Sequence, residues 1–150
     1  MDQPPRSPQA PLLNLRQVTR IVTMAVAMSA SVLYIFDLNL DKGETYAQTL
    51  AFLSLIVTQW ANALNVNVEY KSWVYNFIRP NKLLWGAIGF SILLQIVVFM
   101  TPFGSFLHVT SVAWRDALLA IIVPAAAVLV AVDLHKLVWH MIAKRRTRRV

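Results

Sequence analysis

Four stretches of this chain, at about 18–36, 49–66, 83–100 and 116–139, are long, apolar and nearly free of charge. A helix needs roughly 20 residues to cross a hydrocarbon core of about 30 Å. Inside lipid each backbone N–H and C=O must pair within its own segment, which leaves helices as the form such stretches take. The fourth stretch is apolar from about 117 to 132 and continues as an amphipathic turn to Trp139. Burying all four in a soluble domain would take far more polar chain than 150 residues leave over. Only 14% of residues are charged, against about 25% in a soluble domain, and mean hydropathy is +0.55. The fold class expected is an all-α membrane protein with four transmembrane helices.

The polar segments between the stretches alternate in charge. Residues 1–16 read as a proline-rich lead-in, with Pro4, Pro5, Pro8 and Pro11 where a signal peptide would place its charged start and apolar core. Arg6, Arg16 and Arg20 lie in or near it. The first connector carries Asp37, Asp41 and Glu44 against Lys42, and the second Lys71, Arg79 and Lys82 against Glu69. Arg115 and Asp116 cancel in the third. Residues 141–150 form a basic tail with the run "KRRTRR". Lys and Arg thus favour the lead-in, the second connector and the tail, which the positive-inside rule assigns to the cytosol together with both termini. Trp85, Trp114 and Trp139 stand near span ends, as interfacial aromatics do. The transmembrane domain is expected over 17–140. The tail's basic residues can serve as a topology signal or meet anionic lipid headgroups.

Composition excludes several chemistries. The formal charge of +7 belongs to span ends, so no nucleic-acid partner is expected. With no cysteine there is no disulfide frame, thiol nucleophile or cysteine zinc site. His108, His135 and His140 are too scattered to suggest a metal centre. Only four glycines are present, and no phosphate-cradling loop occurs among them.

The second stretch, "TLAFLSLIVTQWANALNV", raises the sharper question. At helical spacing Ser54, Thr58, Asn62 and Asn65 fall on one stripe, with Gln59 beside them. An unpaired amide facing lipid costs several kcal/mol, so the stripe must face protein or a water-filled path. Two readings stand: interhelical hydrogen bonding, or side-chain carbonyls lining a cation route. Elsewhere, Asp133 and Lys136 suit a local ion pair. Pro124 should bend the fourth helix, and Ala125, Ala126 and Ala127 should let a neighbour approach. Gly86 and Gly89 should do the same in the third helix, where Ser91 and Gln95 read as packing contacts.

Several motifs together resemble a known family. "YAQTLAFLSLIVTQWANALNV" is similar to the eighth transmembrane helix of P2-type cation-transporting ATPases, with its "T-x-AF" and "NALN" elements. "MDQPPRSPQAPLL" resembles the family's lead-in to the seventh helix. "NKLLWGAIGFSILLQIVVFMTPFGSFL" resembles the ninth helix with its exit loop, and "WRDALLAIIVPAAAVLVAVDLHKLVWH" the tenth. The resemblance runs from about Pro4 to His140, in family order and spacing. It implies the C-terminal transmembrane region, helices seven to ten, of a calcium-pump or sodium-pump type ATPase. It also implies that Gln59, three residues before the first Asn of "NALN", is the foremost candidate for contact with a transported cation, and Asn62 the second. A neutral amide supplies only a dipole, so neither balances a divalent ion alone.

The family's catalytic elements do not occur in this sequence. "DKTGT", "TGES" and "GDGxND" are absent, and "DKG" at Asp41–Gly43 lacks the threonine-glycine-threonine continuation. No catalytic residue, bound cofactor or ATPase activity is therefore expected of the chain itself; calcium or sodium/potassium would be cargo of a complete pump. The functional expectation is a detached or truncated support domain in the plasma membrane. It would buttress the ion-carrying helices, lend Gln59 to a site completed by other chain, and have the remainder of a pump and the bilayer as partners. The alternative is an independent four-helix protein forming an oligomer or small channel.

Overall fold

In the computed structural model residues 15–68 and 72–147 are described. The expected lead-in up to residue 14, Glu69 and Lys71 of the second connector, and the tail from residue 148 lie outside the described residues, as do the side chains of Arg145 and Arg146. All regular structure in the described part is helical: α1 (Leu15–Leu38), α2 (Glu44–Asn67), α3 (Tyr75–Ile78), α4 (Lys82–Met100), α5 (Phe103–Phe106) and α6 (Trp114–Thr147). Four of these, α1, α2, α4 and α6 up to Ile142, are long and apolar enough to cross a membrane. The helix of the second span starts at Glu44, five residues before the expected start at Thr49, and α6 runs on without a break into the basic tail.

Local chemistry sets the ends. A 3-10 turn at Leu40–Lys42 closes α1, and Gly43 at φ 113° opens α2, a backbone angle that other residues adopt only under strain. Pro80 ends α3, since the residue before a proline is pushed out of the helical region. Asn81 then caps α4, its Oδ1 accepting from the N–H of Leu83 at 3.1 Å and of Leu84 at 3.4 Å. Thr101 and Pro102 stop α4. The returning loop passes so close at Gly104 that a Cβ there would lie 2.6 Å from the carbonyl oxygen of Val98.

The spans do not share the packing equally. α1, α2 and α6 form a three-helix core in which Ile35, Leu50, Leu53, Val57 and Ala120 make the central cluster. α1 and α2 are antiparallel neighbours across their short turn, whereas α2 and α6 run parallel. Tyr46 meets Asp116, Ser54 meets Ala120 and Lys136 meets Val68 in ascending order. α4 hangs on the flank of α2, with Ile88 its one buried residue. Gly86 and Gly89 have nothing within 4 Å of an added Cβ, so the close approach expected at these glycines does not occur among the described residues. The least exposed span is α2, with 44% of its membrane window buried against 6% for α4.

Polar contacts fasten both ends of the core. At the end carrying the α1–α2 turn, Asp116 accepts from Lys42 Nζ and from the Tyr46 hydroxyl, each at 2.6 Å, and that hydroxyl accepts from the Ala113 N–H at 3.0 Å. At the opposite end Lys136 Nζ donates to the Val68 carbonyl at 3.0 Å and pairs with Asp133 at 3.6 Å, the local ion pair expected from their spacing. Asn76, fully buried, donates to the carbonyls of Leu64 and Trp73 and accepts from Asn67, which in turn accepts from Asn81. This asparagine chain binds the second connector to the end of α2.

Candidate functional site

The polar stripe of α2 divides in two. Ser54, Thr58 and Asn65 are buried between the core helices, and Asn62 is half-buried beside them. Gln59 is exposed and turned to the other flank. There it borders a groove of about 300 Å³ between α2 and α4, lined by Gln59, Trp60, Ala63, Leu84, Ile88 and Ser91 among others. The division follows from helix geometry. At 100° per residue Ser54, Thr58, Asn62 and Asn65 span about 80°, and Gln59 stands about 60° beyond Asn62.

Each buried member has its own chemistry. Ser54 Oγ donates to the carbonyl of Ala120 at 3.0 Å. Ala120 is four residues before Pro124, so its carbonyl is the one that loses its helical donor to the proline ring. The hydroxyl of α2 thus replaces the missing N–H of α6, and the helix continues through Pro124. Ala125 packs against the central cluster just beyond it, in line with the close approach expected of the alanine run. Thr58 Oγ1 turns back to the carbonyl of Leu55 at 2.7 Å. Asn62 Oδ1 and both amide atoms of Asn65 are buried without a hydrogen-bond partner among the described residues.

The groove side has one interhelical hydrogen bond, from Trp60 Nε1 to Ser91 Oγ at 3.0 Å. Ser91 is therefore a packing contact, as its position suggested. Gln95 Nε2, one turn on, is buried with no partner among the described residues. Sequence reading missed Trp60 and Asn76. The signal for Trp60 was an indole at membrane depth, whose N–H requires an acceptor. The signal for Ser54 was present too: a proline in one span, and a hydroxyl at matching depth in another.

Outside the spans, Lys42 has a pKa raised above the ordinary lysine value, chiefly because its ammonium donates to the Asp116 carboxylate. No group of three or more His, Cys, Asp or Glu side chains that could hold a metal occurs among the described residues. Gln59 and Asn62 make no hydrogen bond to a carboxylate among the described residues.

Helical throughout its described residues, with four spans and a proline-containing helix whose freed carbonyl is taken up by a neighbour's serine, the chain has the build of an integral membrane protein. Residues 1–138 match the family model described as the C-terminus of cation-transporting ATPases, and the chain belongs to that family. Among curated proteins it is similar to calcium-transporting ATPase 1 of Schizosaccharomyces pombe, at 25% identity over 122 residues. That match covers 79% of this chain and 14% of the relative's length.

Proposed function

We propose that this chain is the membrane support domain of a calcium-transporting pump of the P-type, and that α2 presents Gln59 to a cation site completed by other chain. One observation carries the proposal. Gln59 lies within about 5 Å of the middle of α2, at 1.5 Å per residue, yet is exposed while the buried members of the stripe turn into the core. An amide at that depth costs several kcal/mol against lipid, so its face is built for a polar neighbour. The relative's printed name supplies calcium as the cargo; sodium or potassium is the competing choice. Asn62 stands behind Gln59 as the second donor. The α1–α2–α6 core acts as the buttress, and no phosphoryl transfer takes place on this chain. In this reading both termini and the second connector face the cytosol and the pump sits in the plasma membrane.

The test uses the intact pump carrying this chain. Calcium-activated ATP hydrolysis is measured across ion concentrations for Gln59→Leu and Gln59→Glu, with Gln95→Leu on α4 as control. Gln59→Leu should raise the half-saturating concentration and leave the control unchanged. Gln59→Glu should give an affinity with a new pH dependence, because a carboxylate titrates where an amide does not. Unchanged half-saturation in both variants, with only a lower melting temperature, would reduce Gln59 to a helix-packing residue. Activation by sodium or potassium in place of calcium would reassign the cargo and leave the site intact.

A further inference from the structure

The second connector does not stand away from the spans it joins. Asn76 is fully buried, and its amide donates at 2.8 Å to the carbonyl of Leu64, three residues before the end of α2. On the other side the Phe77 ring lies 5.1 Å, centroid to centroid, from that of Trp85, three residues into α4, and 6.0 Å from that of Trp73. At 1.5 Å per residue both attachments are about 4.5 Å inside the ends of their helices. The 19 residues of α4 make a helix about 28 Å long, close to the roughly 30 Å of a hydrocarbon core. The start of α4 therefore marks the edge of that core, and α3 is held at this edge.

The outward face of the segment is apolar. At 100° per residue Val74, Phe77 and Ile78 fall within about 100° of one another, on the side away from Asn76. All three are exposed, as is Leu83 in the first turn of α4. Arg79 and Lys82, also exposed, follow directly. Aromatic rings and long cations are the side chains that suit the boundary between hydrocarbon and headgroups. We propose that α3 is an interfacial anchor whose partner is the lipid bilayer. Val74, Phe77 and Ile78 enter the uppermost part of the acyl region, while Arg79 and Lys82 reach back to the headgroups. The asparagine chain from Asn67 to Asn81 fixes the segment from behind, so the apolar face is presented to lipid in one orientation. The proposal rests on the membrane-spanning fold alone and stands or falls independently of Gln59.

The intact protein carrying this chain is placed in nanodiscs of dioleoyl-phosphatidylcholine. The chain has no cysteine, so Val74→Cys and Ile78→Cys each give one labelling position once any cysteine elsewhere in the protein is changed to serine. A nitroxide is attached, and its collisions with oxygen, which concentrates in lipid, and with a neutral nickel chelate, which stays in water, are read by paramagnetic resonance. Asp41→Cys, in the exposed α1–α2 turn, is the water reference, and Leu93→Cys, exposed midway along α4, the hydrocarbon reference. The oxygen-to-nickel ratio at Val74 and Ile78 should stand several-fold above that at Asp41 and below that at Leu93, the order of depths that an interfacial seat requires. A ratio at both positions equal to that at Asp41 would put the face in water. Low collision rates with both reagents would mean that another part of the protein covers it. Either result overturns the proposal.

Discussion

Ser54 and Pro124 are a pair across two helices. The proline strips Ala120 of its helical donor, and the serine hydroxyl supplies another at 3.0 Å. Ser54→Ala should therefore destabilise the core by about 0.6–2 kcal/mol, the range of hydrogen bonds between membrane helices. Pro124→Ala restores the N–H inside α6, so in that background Ser54→Ala should cost much less. Denaturant titration of the four proteins in micelles measures the coupling, and additive losses would show that the two residues act separately. The positions of Ser54 and Pro124 were legible in the sequence, but their partnership was not. It depends on α2 and α6 being parallel and at the same depth, and a hydropathy pattern holds neither fact. Gln59 illustrates the same limit. Its amide at membrane depth was visible at once, whereas its turn away from Ser54 and Thr58 depends on which neighbour each face of α2 meets.

At the level of elements, hydropathy located the four spans to within five residues at their starts, because length and apolarity alone decide what enters lipid. It could not say which spans pack together. All four are apolar enough for lipid, and the apolar residues of α4 do not gather on one face that would mark where it packs. The best clue was inverse: the span with the most polar groups, α2, is the most buried. The α1–α2 turn is tied to α6 by the bond between Lys42 and Asp116, and this gives a pH prediction. A lysine whose folded pKa is raised adds stability below its unfolded value, near 10.5, and loses it as pH rises through the higher folded value. The difference in melting temperature between wild type and Lys42→Met should hold steady from neutral pH to about pH 10 and shrink above it. A gap that persisted at pH 12 would mean that Lys42 acts through packing of its stem.

At the level of the whole molecule, the parallel pairing of α2 with α6 fixes an order of events during synthesis. The ribosome delivers α2 before α6, so the helix that receives Ser54 emerges only after the second connector, α4 and the returning loop. For that interval Ser54 and its neighbours meet lipid or a chaperone, with their final partner still unmade. A chain stopped after Ala113 would remain in that condition, and a quality-control protease reading exposed polar groups should remove it quickly. Substituting Ser54→Ala, Thr58→Val and Asn65→Leu together should lengthen the lifetime of the stopped chain and shorten that of the full one. Pulse-chase measurement of the two lifetimes tests this reversal of sign; a change in the same direction in both would mean that turnover reads something other than the polar face of α2. Ser54, which ties α2 to α6 in the folded domain, is thus also the residue that marks the domain as unfinished until α6 is in place.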